Sequence, residues 1–236
     1  MRILHLKKLF ILAVIIILSS SNAFAIEDSL LIKEQSIQNQ INQLGTKILN
    51  ANKIDKRIIF VYDKSEKKSL LKTADTVTKR QIVMYENDFK YISNEDEAAA
   101  FITREILTAV KSYRGPWNGG LSAVQIKAAP KKYEIISDKT AVDYMVQAGY
   151  DPIGLITYIN KSCPQKRFDR FSNRNLTSKR LAHIYEYIYT KYPYYLANNK
   201  YFQTDAYQNF LLTSIYNRRL LEQKINSHST EELDYE

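Results

Sequence analysis

Apolar and polar positions along the chain follow two different periods. From Glu27 to Asn52 the apolar residues Leu30, Leu31, Ile37, Ile41, Leu44, Ile48 and Leu49 recur at helical spacing, opposite a face rich in Gln and Asn. That spacing predicts an amphipathic helix, which Gly45 weakens but does not end. Arg57 to Asp63 (RIIFVYD) is β-branched and aromatic and predicts a buried strand. Lys64 to Thr78 is charged and polar and reads as a loop or short helix. In Arg80 to Tyr91 the alternation of Ile82 and Met84, followed by Phe89 and Tyr91, predicts a second strand or a hairpin.

A helix follows over residues 94–113. Ser93 or Asn94 can cap it, with Asp96 or Glu97 at the third position. Its acidic first turn suits the positive end of the helix dipole. Ala98, Phe101, Ile102, Ile106 and Ala109 form its apolar stripe, and Glu105 falls within that stripe. A carboxylate on the core side of a helix is costly unless it is paired. RGPWNGG, residues 114–120, breaks this helix. Further helices are predicted over Lys131–Gln147, Ile153–Lys161, Thr177–Tyr192 and Asp205–Lys224. Gly149 suits a helix C-terminus, and Pro152 suits the start of the next helix. Residues 226–236 are polar and acidic and read as a flexible tail.

The N-terminus changes the picture. Lys7 and Lys8 precede an unbroken apolar run from Leu9 to Leu18, and Ala23-Phe24-Ala25 fits a cleavage site. This predicts a secretory signal peptide over residues 1–25, too short to span a bilayer stably, with an uncleaved anchor as the alternative. The expected product is exported to a periplasmic or envelope space and begins at Ile26. Residues 26–225 then suit one domain, with a Tyr-rich helical extension over 185–225. Losing Arg2, Lys7 and Lys8 lowers the net charge by three from +9. The remaining balance is mildly basic. It is compatible with peripheral membrane association and gives no reason to expect nucleic acid binding. Cys163 is the only cysteine, so the fold must rest on an apolar core. Cys163 reads as a partly buried thiol, with a nucleophilic role beside His183 or an intermolecular disulfide as alternatives. Nine of the 18 tyrosines lie between residues 185 and 216. That density suits a core wall with wet edges or a protein-binding surface.

Three segments carry a resemblance. NEDEAAAFITREILTAV, beginning at Asn94, resembles the helix NEDELAAVLAHEIAHV of the HtpX/BepA-like zinc metallopeptidases, peptidase family M-forty-eight. Glu134-Ile135-Ile136-Ser137-Asp138, followed by AVDYMVQAGYDP, is similar to the family's ExxAD and AGYDP. FSNRNLTSKRLAHIYEYI, residues 171–188, resembles its STHPLTSKRL segment. The resemblance spans about residues 80–190. It implies an α+β, mostly helical, zincin-like fold with a small antiparallel sheet against the motif helix.

Carried over position by position, the resemblance makes this a degenerate member. Arg104 and Thr108 stand where the two zinc histidines would be. Glu105 holds the general-base position and Glu134 that of the carboxylate ligand. Asp138 matches the aspartate that supports the site from behind. Arg174 replaces the histidine of the His-Pro loop, Asn175 replaces its proline, and Arg180 matches the downstream arginine. The Gly-rich strand that precedes the helix in the family is unrecognisable here.

Catalytic zinc needs three protein ligands and an open position for water. Arginine stays protonated and cannot ligate, and threonine ligates zinc poorly. His183 and His228 are the only histidines beyond residue 25. Both read as solvated surface residues, and neither restores a helical i, i+4 pair. No cofactor is therefore expected, with zinc entering only under the alternative of an active enzyme. The leading expectation is a non-catalytic relative that binds a protein or peptide. A divergent metalloendopeptidase using Glu105 is the runner-up, and a structural envelope protein is third. Charge suggests how such a site closes: Arg104, with Arg174 or Arg180, would bridge Glu105 and Glu134.

Overall fold

The computed structural model describes residues 33–65, 76, 79–112, 130–163 and 177–235. The chain divides into two units, residues 1–41 and 42–236. In the first, residues 33–41 are helical. The second holds helical residues 42–51 (α1), β1 (Ile59–Asp63), β2 (Gln81–Tyr85), a short 3-10 helix (Glu86–Tyr91) and α2 (Glu95–Ser112). It continues with α3 (Pro130–Gln147), α4 (Ile153–Ser162), α5 (Thr177–Lys191), α6 (Pro193–Ala197), α7 (Asp205–Thr213) and α8 (Ile215–Asn226). The expectation of a mostly helical α+β chain holds. The signal segment, the RGPWNGG breaker, Arg174 and Asn175 lie outside the described residues. Among those residues no helix is long and apolar enough to cross a membrane.

The sheet differs from expectation. β1 and β2 pair in parallel, with Ile59 opposite Gln81 and Asp63 opposite Tyr85. An antiparallel pair can close with a two-residue turn, whereas parallel strands need a crossover of a dozen residues or more. Residues 64–80 are long enough for one, and no hairpin follows β2, because the chain turns directly into the 3-10 helix. Ile82, Met84 and Tyr85 are fully buried, and α2 packs against this strand. Gly45 on α1 faces β1. A Cβ there would stand 2.4 Å from the Phe60 ring, so the glycine is what lets helix and strand approach.

Helix α2 is enclosed by β2, α3 and α4. Ala99, Ala100, Ile102, Ile106 and Ala109 are inaccessible to solvent. Asn94 caps the helix by accepting the Glu97 N–H at 3.0 Å, while the Ser93 N–H donates to Glu97 Oε2 at 2.7 Å. α3 ends as its glycine predicts. Gly149 has φ +79°, and the Tyr150 N–H reaches back to Met145 O at 2.9 Å. The single last helix expected over Asp205–Lys224 is instead two. Ser214 Oγ donates to Phe210 O at 2.6 Å, and the helix is interrupted there.

The tail, polar in composition, carries a buried residue. Tyr235 is 1% exposed and packs edge-on against His183, ring centroids 4.9 Å apart. His183 is accordingly not a solvated residue. Its side chain is 12% exposed, with Nδ1 at 3.8 Å from Glu186. His228 is exposed, as its position in the tail suggests.

Candidate functional site

Glu134 and Asp138 are one turn apart on α3, so both carboxylates project from one face. α5 packs against that helix and brings Arg180 to both of them. Arg180 Nε donates to Asp138 Oδ2 at 2.7 Å and Nη2 donates to Oδ1 at 3.0 Å. Its third nitrogen, Nη1, lies 3.1 Å from Glu134 Oε2. The fork of the guanidinium thus spans two carboxylates. Asp138 is fully buried and Arg180 is 4% exposed. Burial works against the charge on Arg180, but Asp138 and then Glu134 outweigh it, so its pKa is raised.

α2 contributes the second arginine. Arg104 Nε lies 3.0 Å from Asp138 Oδ1, close enough to pair by charge. It is not aligned for a hydrogen bond. Thr108, one turn on, donates to Arg104 O at 3.1 Å. Lys111, a further turn along, donates to Ser137 Oγ at 2.7 Å. Burial lowers the Lys111 pKa, and Arg104 adds to the effect. Two guanidiniums and a half-buried ammonium therefore converge on Asp138 and Glu134.

The expected bridge of Glu105 and Glu134 by Arg104 does not form, and only its Arg180–Glu134 part is met. Arg180 takes Glu134, while Arg104 goes to Asp138 rather than bridging Glu105 and Glu134. Adjacent residues on a helix point about 100° apart, so Arg104 and Glu105 cannot both face α3. Glu105 accepts a hydrogen bond from Thr76 at 3.0 Å and bears electrostatically on Tyr158 of α4. Cys163 closes α4, its N–H on Ile159 O at 2.8 Å, and its thiol is half-buried and free of any disulfide.

As a ligand set for zinc the family positions do not fit. Arg104 is paired and stays protonated. The Thr108 hydroxyl donates to a carbonyl, and Glu134 already holds Arg180. Among the described residues no three His, Cys, Asp or Glu side chains gather closely enough to hold a metal ion.

A second polar cluster joins the other two resembling stretches, NEDE and AGYDP. Asp96, at the start of α2, accepts the Asp151 N–H at 3.0 Å. It also accepts the Tyr201 hydroxyl at 2.5 Å and pairs with Lys200 at 2.5 Å. Asp151 in turn caps α4 through the Ile153 N–H at 2.9 Å. Gly154 permits the contact, since a Cβ there would stand 2.7 Å from Asp96 Cβ. Burial pushes the Asp151 carboxyl up to about 6; the Ile153 N–H works the other way and Asp96 adds to the rise. Beside it, Glu97 pairs with Lys161 at 2.7 Å. The sequence marks Asp96 as a helix-start residue but not as the partner of Tyr201, more than a hundred positions away.

Comparison of the chain with protein-family profiles, with curated proteins and with solved structures finds no match.

Proposed function

We propose that this chain is an exported, non-catalytic relative of the HtpX/BepA-like zinc metallopeptidases that binds a protein or peptide in what would be the old active-site cleft. The zincin-like fold, the leader over residues 1–25 and a periplasmic or envelope location belong to that reading. One observation carries it. The carboxylate at the ligand position, Glu134, and its supporting neighbour, Asp138, are both held by the Arg180 guanidinium, at 3.1 Å and 2.7 Å. Arg104, at a histidine position, adds a second positive charge 3.0 Å from Asp138. Beside Arg180, which the resemblance keeps, Arg104 adds a positive charge at a position where the family would hold a zinc ligand. A cleft can still bind an extended segment when the chemistry is gone, through main-chain pairing and side-chain pockets.

The runner-up is a divergent metalloendopeptidase working through Glu105, and it draws on that residue lying outside the Arg180–Asp138 contact. A cleavage assay separates the two. Purified protein incubated with casein is expected to yield no fragments with or without added zinc. Chelator-sensitive fragments that vanish in Glu105→Gln would overturn the proposal in favour of the enzyme.

A further inference from the structure

On α5, Tyr189 stands about half a turn round the helix from Arg180, at roughly 100° per residue. There, Tyr185 and Tyr189 line an open groove of about 650 Å³, together with Ile215, Arg218, Arg219 and Glu222 of α8. It is separate from the carboxylate cluster on α3. Tyr189 and Ile215 are each 41% exposed, and Leu212 and Tyr216 nearby are 69% and 55% exposed. Apolar side chains gathered on the surface with charged residues among them mark an interaction site.

The charge of the groove is unbalanced. Arg218 donates to Leu211 O at 2.8 Å and to Ser214 Oγ at 3.2 Å, so neutral acceptors fix its position without cancelling its charge. Arg219 is exposed and forms no ion pair among the described residues. Against these two cations stands Glu222. The other flank of α5 displays how this helix captures a segment. There the chain's own tail sets Asp234 on Lys179 at 3.0 Å and buries Tyr235 against His183. An acid and an aromatic ring, side by side in sequence, satisfy a cation and a recess beside His183 and Glu186.

We infer that the α5–α8 groove is a docking site for an acidic peptide segment bearing apolar or aromatic anchors. The apolar side chains would lie on Tyr185, Tyr189 and Ile215, and the carboxylates on Arg218 and Arg219. A membrane surface suits it less well, because the groove is concave and carries Glu222 among its cations.

Fluorescence anisotropy of the full chain with a fluorescein-labelled peptide of alternating glutamate and leucine tests this. Arg219→Glu and Ile215→Asn each alter an exposed residue, and circular dichroism checks that the variants stay folded. Each is expected to weaken binding about tenfold, the effect of one well-placed contact, and the matching lysine–leucine peptide is expected not to bind. No binding of the acidic peptide would overturn the inference. So would equal binding by both variants, or capture by phosphatidylglycerol vesicles in place of the peptide.

Discussion

Two acid clusters, one on α3 and one at the start of α2, treat negative charge in opposite ways. Around Asp138 the carboxylates are neutralised by arginines from two other helices, and the guanidinium fork of Arg180 satisfies Asp138 and Glu134 together. Around Asp96 the carboxylate is held by an amide, a tyrosine hydroxyl and one lysine that is itself 59% exposed. Asp151 beside it has no such counter-charge at bonding distance among the described residues, and burial raises its pKa to about 6. The difference separates scaffold from site. NEDE and AGYDP dock the starts of α2 and α4 on each other, a task of capping and close approach. TREIL, EIISD and TSKR converge on the place where the family resemblance puts chemistry, and there arginine is the dominant partner.

The sharpest way to break this comparison is to remove Arg180. Arg180→Met leaves Asp138 buried beside an arginine that is poorly aligned to it. Taking one partner from a buried pair typically costs about 3–5 kcal/mol, which urea unfolding would register. An effect under about 1 kcal/mol would mean that the cluster is a solvated surface network. Tyr201→Phe is the matching test at the other cluster. It removes the hydroxyl from Asp96 and should cost about 1–3 kcal/mol, the penalty for a buried acceptor that loses its donor. Arg104→Met should cost less, at most about 1 kcal/mol, because its Nε is misaligned and its side chain is 23% exposed. If Arg104→Met proved costlier than Arg180→Met, the centre of the cluster would lie on α2 and not on α5.

A further effect is a matter of pH. Asp151 has a raised folded pKa, so its contribution is fully present below its unfolded value near 3.8 and is lost as pH rises through about 6. Glu186 runs the other way. His183, whose Nδ1 lies 3.8 Å away, and the Lys224 ammonium at 2.9 Å hold it down at about 2, despite burial. Its contribution is present above its unfolded value near 4.5 and disappears as pH falls toward 2. Asp151→Asn should therefore flatten the loss of stability between pH 4 and about 6 in a thermal melt series, while Glu186→Gln should alter only the acid limb. Identical curves for Asp151→Asn and the parent would show that the carboxyl is not held in its raised state.

Much of this organisation was legible from the pattern of side chains. The spans of α3, α4 and α5 match expectation to within a residue, α3 and α4 through Gly149 and Pro152 and α5 through its apolar face, because those signals are local. Glu134 and Asp138 could be placed on one face from their spacing alone, and Arg180 could be nominated from the resemblance. What escaped needs three dimensions. Strand direction depends on what lies between β1 and β2, and a polar stretch does not announce itself as a crossover. The break at Ser214 rests on one hydroxyl bonding back to Phe210, in a segment whose apolar spacing runs straight through. Tyr235 was invisible as a core residue because the residues around it are polar and acidic. The partner of Arg104 turned on rotation about α2, where a step of one residue decides which wall a side chain meets.

The central claim is that arginine has taken the place of the metal, and a calorimetric zinc titration tests it most directly. Purified parent chain and the Arg104→His/Thr108→His variant would be titrated side by side. The parent should give no binding heat, and the variant, with two histidines returned beside Glu134, should bind one zinc ion. Stoichiometric zinc binding by the parent, with Arg104 and Thr108 in place, would contradict the claim.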